Sequence, residues 1–583
     1  MNAPAETSLK ETLIEAHKKG QFLDAVYQAS LAERDERSVV AAELVTLHNT
    51  GIMDVVEAFS GLGATGNGPD FFLTRHVFEA ALPDLDAPVI PVMKCVLDLC
   101  RRAGKDMMAG SIVNSFIAFC AKDSARPREA LDAMKSDPDL LDLLTGSIVA
   151  GALVNLEEYV EEAVKLLQDS DITIRRRAAF TLGRIRWPKD AVPSESVYAA
   201  LKTAAEKESD DEVLAAVAKA AFALFVQNKE QEERVAKLID KALSNDGDLA
   251  VHAASEIAFF HTKELTPTIT AALTPHLLKV SPAHKGTLDN IDYYLDHLVR
   301  RGESVEAIEF VETLLLAHPD NLRLEVFDSL VAEIRNDKAL LGRVVTRWFL
   351  LGDEVLCEGI QRMISAVFGR NVSIDIDPAE LAPASHSRLI FVARKALGYL
   401  FFTPISAARV IVSLMRQTND DATLEVLGDH LFDPLLTNYS GAAREYVAEA
   451  AKGATGKLKK HLKRSLRLLD EYMDGLRSVG EVPEFAPSIA QREAYHRLSS
   501  RQMSESMKAA EAKSPFLSVI HKSVLLYGRR SINYVYGPSG ESHRTEIPLK
   551  SHSIQVEMPR AGQLDPFGIE YALRVFRAER LRK

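Results

Sequence analysis

The chain has 583 residues, of which 70 are Lys or Arg and 82 are Asp or Glu, so its formal net charge at pH 7 is −12. Binding to a phosphate backbone needs many cations on one face, so this acidic balance argues against the whole chain as a general nucleic-acid clamp. No run approaches the roughly 18 apolar residues that span a bilayer, and the N-terminus lacks the apolar core of a signal peptide. We therefore predict a cytoplasmic protein without a transmembrane segment.

The four cysteines all lie inside apolar runs with helical periodicity. None of them forms a Cys-x-x-Cys pattern, which would indicate a redox or zinc site. We predict that they are buried small hydrophobic residues in a reducing compartment. They are Cys95, Cys100, Cys120 and Cys357.

A polar or helix-breaking residue recurs every 33 to 39 residues along most of the chain, between two helical stretches. After each of these turns, apolar residues recur at every third or fourth position, which is typical of a helix with one apolar face. Two such helices cannot bury both faces alone, so each pair must stack on the next pair. The sequence therefore predicts a mostly α-helical stack of helix pairs over residues 1–480. The turn residues are Asp35, Asp70, Gly104, Asp137, Asp171, Asp210, Asp246, Pro282, Pro319, Asp353, His386, Asp420 and Gly456.

The clearest copy of the repeat is DSDITIRRRAAFTLGRI, residues 169–185. This segment resembles the second half of a HEAT unit, with an Asp-containing turn, a basic residue, a small Ala pair and a Leu-Gly-Ile end. The resemblance to HEAT and armadillo repeats implies a right-handed α-α superhelical solenoid of HEAT-like helix pairs, a fold that usually binds other macromolecules. The matching residues are Asp171, Arg175, Ala178, Ala179, Leu182, Gly183 and Ile185.

Five arginines crowd the predicted helix at residues 172–187, which ends beside Trp187. They could bind phosphate groups or an acidic partner next to the indole ring. Alternatively they pair with acids of neighbouring units, such as those in residues 157–162, and we favour this second interpretation. The five are Arg175, Arg176, Arg177, Arg184 and Arg186.

Three acidic residues, Glu256, Asp292 and Asp328, follow one another at intervals of 36 residues, so they occupy equivalent positions on three successive second helices. Asp289 and Asp296 extend the middle position. If the second helices line a concave face, these carboxylates form an acidic ladder along the groove, suited to a basic peptide or to the basic tail of the same chain. The alternative is a solvated helix flank.

Residues 371–404 depart from the repeat and predict an inserted loop. Asp375 and Asp377 stand before a proline in this loop. An Asp-x-Asp pair can hold a divalent ion, but no further carboxylates follow at calcium-loop spacing, so we favour a structural turn.

Charge is distributed unevenly along the chain. Residues 451–583 contain 24 Lys and Arg against 14 Asp and Glu, a balance of +10, which leaves 46 against 68, or −22, for residues 1–450. The basic part begins with an amphipathic stretch at residues 457–476, which we interpret as the capping helix of the stack. Its cations either face solvent or contact an acidic protein, a nucleic acid or an anionic membrane surface. They include Lys459, Lys460, Lys463 and Arg464.

The last part of the chain changes period. Residues 481–513 predict a polar linker or helix, and residues 514–583 predict a small basic module of β-hairpin and helix, an α+β tail. Strands are expected around residues 532–536 and 554–558, with the final helix covering one face of the sheet. Cations mixed with aromatic residues suit base stacking, although such aromatics also form cores. The candidates are Arg529, Arg530, Tyr534 and Arg544.

The chain has no Gly-x-Ser-x-Gly elbow, no phosphate loop and no His-Glu-x-x-His pair. We therefore predict no catalytic residue, no metal site and no cofactor. The favoured function is a non-enzymatic scaffold or adaptor that binds a protein or peptide along the groove, with the basic tail as a second contact. The alternative is a nucleic-acid-binding protein that uses the helix at residues 172–187 and the tail; an enzyme, such as a HEAT-like lyase or DNA glycosylase, ranks third.

Overall fold

In a computed structural model the described part of the chain is mostly α-helical, as predicted. It divides into two compact units, Met1–Glu303 and Ser304–Lys583, and each unit is considered by itself. No helix in this described part is long and apolar enough to cross a membrane. The described residues are 8–32, 39–63, 70–104, 106, 108–188, 193–365, 372–480, 488–512, 520–526, 530–536, 542–548 and 557–581.

The first unit is built from helices joined by short turns, with single 3₁₀ turns at Leu82–Asp84, Pro138–Leu143 and Lys229–Gln231. The helices are α1 (Leu9–Lys18), α2 (Phe22–Ala32), α3 (Val39–Asn49), α4 (Val55–Ser60), α5 (Phe71–Ala81), α6 (Val89–Ala103), α7 (Ile112–Ala121), α8 (Arg126–Ser136), α9 (Leu144–Val154), α10 (Leu156–Leu166), α11 (Ile172–Arg184), α12 (Glu195–Lys207), α13 (Asp211–Gln227), α14 (Glu232–Leu243), α15 (Asp248–Phe260), α16 (Pro267–Leu277) and α17 (Lys285–Arg300).

Several of the aspartates that mark the repeat begin α-helices. Asp70, Asp171 and Asp210 are the N-cap residues of α5, α11 and α13, and each side chain accepts a hydrogen bond from a backbone N–H of the first turn. The Asp171 bond from the Thr173 amide is 2.7 Å long. Such a cap stabilises a helix because the first-turn amides have no partner within the helix. The turn spacing in the sequence therefore sets where these second helices start, whereas Asp35 lies outside the described residues.

Two layers of helices form the first unit between α9 and α17. Helices α9, α11, α13, α15 and α17 pack side by side, each on the next, and α10, α12, α14 and α16 form a second row in the same way. Apolar residues of both rows, such as Leu182, Val217 and Ile239, are buried between them. Neighbouring pairs thus share one core, as the stacking argument requires.

Small residues let the second helices approach closely. Ala178 and Ala179 of α11 and Ala220 of α13 are buried in the contact. A Cβ atom added to Gly183 would lie 2.7 Å from the Ala220 Cα atom, closer than real Cβ atoms come. The position therefore needs glycine for the distance between the two helices.

The second unit is also mainly helical, with a 3₁₀ turn at Leu324–Val326, a π-type turn at Leu431–Leu436 and three strands near its end. Its elements are α18 (Ser304–Ala317), α19 (Asp328–Asn336), α20 (Lys338–Leu351), α21 (Glu354–Ser365), α22 (Pro378–Leu381), α23 (His386–Leu400), α24 (Pro404–Met415), α25 (Asp421–His430), α26 (Ala442–Gly453), α27 (Gly456–Val479), α28 (Ile489–Ala512), β1 (Ile520–Leu526), β2 (Arg530–Tyr536), β3 (Ser542–Pro548), α29 (Ala561–Leu564) and α30 (Pro566–Ala578).

The second unit repeats the packing of the first, with α21, α23, α25 and α27 in one row. A buried carboxylate, Glu312 of α18, ties this core to α20. It accepts two hydrogen bonds from Arg347, at 2.7 and 2.9 Å, and one of 2.7 Å from the Trp348 indole N–H. Three donors satisfy the charge, as a buried carboxylate requires.

The C-terminal helix α30 packs on α23. The Arg577 Nε donates to the Gly398 carbonyl oxygen at 2.6 Å, and the Arg394 guanidinium meets the Glu579 carboxylate at 2.9 Å. Lys395, whose side chain is buried, donates to the Arg577 carbonyl oxygen at the end of α30. Through this face the final helix therefore packs on the helical repeats.

The three strands form one antiparallel sheet in the order β1-β2-β3. Strand β2 pairs with Ser542–Pro548, so the partner strand comes earlier than the predicted residues 554–558. In this register Tyr534 is opposite Arg544. Residues 549–556 lie outside the described part of the chain.

Cys95, Cys120 and Cys357 are buried, as predicted, and Cys100 is partly exposed. Burial raises the pKa of the Cys120 thiol to about 12, and the pKa of Cys357 likewise. These two thiols stay protonated at neutral pH, so they behave as small hydrophobic side chains.

The predicted insertion is shorter than expected, because its second half forms the regular repeat helix α23. Asp377 is the N-cap of the short helix α22 and accepts a hydrogen bond from the Ala379 amide at 2.8 Å. Asp375 lies 3.7 Å from the Arg416 guanidinium. Both aspartates thus have structural contacts, which fits the predicted turn.

We expect Gly183→Ala to lower the free energy of unfolding by about 1–3 kcal/mol, because the new methyl group must push α11 away from α13. The matched control is Gly286→Ala in α17, where an added Cβ meets nothing within 4 Å. The measurement is urea unfolding followed by circular dichroism at 222 nm. Equal stability of the two variants would contradict the close packing at Gly183.

Candidate functional site

Two adjoining depressions lie on the row of second helices in the first unit. Their volumes are about 660 and 770 Å³. Phe180, Arg184 and Lys219 line both of them, so the two depressions form one continuous groove, which we call the α11 groove. Its walls come from α7, α9, α11, α13 and α15.

Apolar side chains stand open to solvent in the α11 groove. Phe260 is 66% exposed, and Leu249, Phe180 and Val226 are 46%, 40% and 37% exposed. Large apolar side chains grouped in one exposed concavity are typical of interaction sites. The groove therefore has apolar surface that a partner could cover.

Ion pairs between neighbouring helices hold the walls of the groove. Arg177 of α11 pairs with Asp142, in the turn before α9, and Arg176 pairs with Glu212 of α13. Farther along, Lys219 of α13 pairs with Glu256 of α15. Each of these cations already has a carboxylate partner within the fold.

Arg175 makes a further tie between repeats, away from the groove. Its Nε donates to the Glu208 carboxylate at 2.8 Å, and its Nη1 donates to the Asp169 and Ser170 carbonyl oxygens at 2.9 and 3.0 Å. Burial acts to raise the pKa of Glu208, but hydrogen bonds from Arg175 and from two backbone amides outweigh it and hold the pKa below its ordinary value. Glu208 therefore stays charged and keeps the tie at neutral pH.

Arg184 and Arg186 differ from the other three arginines. In the part of the chain that the structure describes, neither forms an ion pair, and both are exposed. The Arg184 guanidinium lies over the Phe180 ring, 5.6 Å from its centroid. The groove lining holds five Lys and Arg side chains against three carboxylates, so Arg184 and Arg186 give it an excess of two positive charges.

The prediction that the arginines pair with neighbouring units is thus confirmed for Arg175, Arg176 and Arg177, but with other acids than those of residues 157–162. Glu158 and Glu162 belong to the first-helix row and pair with Arg128 of α8, at 2.6 and 3.5 Å. The α11 helix is also shorter than predicted, ending at Arg184.

The acidic ladder does not form a solvent-facing row in the first unit. Asp292 and Asp296 are only 3% and 5% exposed, and Asp296 lies 3.0 Å from Arg300. Glu256 is neutralised by Lys219. Helical periodicity had placed these carboxylates beside the apolar stripe, but a helix flank becomes surface only where no neighbour covers it. Asp289 is exposed, and Asp328 begins α19 in the second unit.

The predicted tail cations lie mainly on the surface of α27. Arg464 is used inside the fold, where it meets Asp429 at 2.6 Å. Lys459, Lys460 and Lys463 form no ion pair with any residue the structure describes. They therefore form a small basic surface in the second unit, which we call the α27 basic surface.

The remaining candidates belong to the sheet region. Arg530 and Tyr534 lie in β2 and Arg544 lies in β3, where its side chain is exposed. Arg529 lies outside the described residues. The described part thus keeps Tyr534 and Arg544 on paired strands, opposite one another.

Sequence reasoning missed the apolar residues of the groove, Phe180, Leu249 and Phe260. The available signal was that these residues lie off the buried stripe of their helices. An apolar residue outside the stripe either packs against a neighbouring helix or is part of an exposed patch. Only the packing of α7 to α15 shows which of the two applies.

No protein-family model matches the chain, and no curated protein matches it in sequence. Among solved structures, the chain is similar to an engineered protein whose crystal structure was determined by the Northeast Structural Genomics Consortium, at 14% identity and a TM-score of 0.23. The alignment covers 80% of this chain and 99% of that chain. At this TM-score the similarity supports no statement about fold or function.

We expect Arg175→Gln to lower the free energy of unfolding by about 1–3 kcal/mol, because Glu208 would remain charged and part-buried without its partner. Arg184→Gln on the same helix is the matched control, and we expect it to stay within about 0.5 kcal/mol of the wild type. Urea unfolding of both variants measures the difference. A larger loss in Arg184→Gln than in Arg175→Gln would show that the roles of the two arginines are reversed.

Proposed function

We propose that the protein is a non-enzymatic scaffold of the HEAT-like α-solenoid type, and that it binds a segment of another protein in the α11 groove. The observation that carries this proposal is the continuity of the groove across five helices with exposed apolar side chains along it. Binding is additive, since each helix offers a few side chains and no single residue is indispensable.

The dimensions support a peptide-sized occupant. Neighbouring packed helices lie roughly 8–10 Å apart, so five helices in a row give a path of about 35 Å. An extended chain advances about 3.3 Å per residue, so about ten residues fit along the path. This length suits a linear segment of a partner protein better than a small molecule.

The walls of the groove are held in place before any partner arrives. Inter-helix ion pairs of Arg176, Arg177 and Lys219 connect α9, α11, α13 and α15, and the close contact at Gly183 holds α11 against α13. A preformed surface loses little conformational freedom on binding, which favours affinity.

The same ion pairs disfavour nucleic acid as the occupant of this groove. Asp142, Glu212 and Glu256 line it and would face the phosphates. Only Arg184 and Arg186 remain unpaired among its described cations, whereas a nucleic-acid site uses many.

A photo-crosslinking amino acid tests the proposal directly. We expect p-benzoylphenylalanine at position 180 or 260, in the native cell, to form adducts with a protein, because both positions hold exposed aromatic rings in the groove. The control is the same amino acid at position 237, an exposed site on α14 in the other helix row. Mass spectrometry identifies the adducts, and we expect Phe260→Ser to weaken binding of the purified partner about tenfold.

Adducts at positions 180 and 260 that match those at 237, or a purified partner that binds Phe260→Ser as tightly as the wild type, would refute groove binding. Adducts with nucleic acid at the groove positions would favour the alternative function.

A second candidate function rests on the α27 basic surface, where Lys459, Lys460 and Lys463 are free to contact an acidic protein or a phosphate backbone. In the favoured function this surface is a second contact for the partner protein. In the alternative it is part of a nucleic-acid site.

Salt dependence separates these cases. We expect binding of a 20-base-pair DNA duplex to be weak and to fall by no more than about 40-fold between about 50 and 200 mM salt, because only a few phosphates are neutralised. Filter binding measures it, with the triple variant K459Q/K460Q/K463Q abolishing the signal and R184Q/R186Q leaving it unchanged. Tight binding that persists at the higher salt and requires Arg184 and Arg186 would instead support nucleic-acid recognition by α11.

A further inference from the structure

The two excess positive charges of the groove lie at the end of α11, although the chain as a whole has a net charge of −12. Arg184 is the last residue of α11, and Arg186 and Trp187 follow it in the turn. All three line the same depression. This acidic protein therefore has a local cationic site, which attracts anionic groups.

Helix α13 holds this turn in position. The Gln227 side chain accepts a hydrogen bond from the Trp187 backbone amide at 3.1 Å and donates one to the Ile185 carbonyl oxygen at 3.2 Å. These two bonds bracket Arg186 from both sides. The turn therefore presents Arg186 and Trp187 from a backbone that is already fixed.

The donors of this turn have no acceptor within the described structure. The Trp187 indole N–H is buried and makes no hydrogen bond. The great majority of buried polar groups in proteins are hydrogen-bonded, so this unmatched donor adds to the local excess of donors at the end of α11. The exposed guanidinium groups of Arg184 and Arg186 are also unpaired, whereas Glu256, the carboxylate among the described residues that line this depression, is paired with Lys219.

Apolar surface adjoins these donors. Phe180 lies one helical turn before Arg184 and beneath its guanidinium, and Phe260 and Val226 line the same depression. An occupant must therefore present anionic groups next to apolar side chains.

We propose that the α11 groove recognises an acidic linear segment of a partner protein, with Asp or Glu carboxylates bound by Arg184 and Arg186, and with neighbouring apolar side chains packed on Phe180 and Phe260. The inference rests on the proposed function and specifies its partner. Arginine suits this role because its planar group binds a carboxylate through two parallel hydrogen bonds.

A basic segment, which the acidic ladder would have favoured, is the wrong occupant. The groove carboxylates Asp142, Glu212 and Glu256 are each paired to a cation of the groove itself. A lysine or arginine of the partner would meet the unpaired arginines without a free carboxylate to bind.

A phage-displayed library of random 12-residue peptides, selected on the full chain, tests the inference. We expect the selected peptides to be enriched in Asp and Glu next to aromatic residues or Leu. Fluorescence anisotropy with the best synthetic peptide should show about tenfold or greater weakening for R184Q/R186Q, as for the loss of charge-assisted hydrogen bonds. The matched control, K237Q/K241Q on α14, removes the same number of charges from the other helix row and should bind as the wild type does.

Different results would contradict groove binding and the acidic-segment inference. Peptides that lose binding in Phe260→Ser but show no acidic enrichment, and that bind R184Q/R186Q normally, would overturn the acidic inference and keep the groove. Failure to select any peptide, or peptides indifferent to Phe260→Ser, would overturn groove binding itself. Thermal unfolding verifies that each variant is folded. If R184Q/R186Q is not folded, R184K/R186K replaces it. We expect a smaller loss of affinity for R184K/R186K, because the charge remains but the two-bond geometry of arginine is lost.

Discussion

The close approach of α11 to α13 is the constraint on which the rest of the first unit depends. Alanine and glycine occupy the contact, and at Gly183 even one methyl group would collide with the backbone of the neighbouring helix. Because these helices lie so near each other, side chains at their edges meet directly. The ion pair between Arg176 and Glu212, and the apolar side chains that α11 and α13 contribute together to the groove, follow from that separation.

Polar contacts between helices then follow the repeat period. Arg176 and Glu212 are 36 residues apart, and Glu312 and Arg347 in the second unit are 35 apart. Most cations of α11 are used in this way, since leaving a part-buried charge without a partner is costly. What remains is a small set of donors, Arg184, Arg186 and the Trp187 indole, which the described fold does not satisfy. The proposed partner contact therefore rests on Arg184 and Arg186 and not on Arg175, Arg176 and Arg177, whose charges are paired within the fold.

Burial also decides which acidic residues can contribute to a binding surface. Asp292 and Asp296 have the spacing of a repeated surface feature, yet they are enclosed. A carboxylate contributes to a binding surface only if water, and therefore a partner, can reach it. The described lining of the α11 groove holds five cations against three carboxylates although the chain as a whole is acidic, and this local excess is what supports the proposed acidic partner.

The sequence by itself determined the helical content, the turns and the stacking, because helix caps and apolar stripes are local patterns that depend on a few neighbouring residues. Asp171 and Asp210 begin second helices at the predicted spacing for this reason. Only the tertiary structure decided which acids pair with the arginines, where α30 docks and which aromatics stay exposed. These outcomes depend on contacts between residues about 35 positions apart or, for Arg394 and Glu579, 185 apart, and no local pattern specifies which side chains meet across such distances.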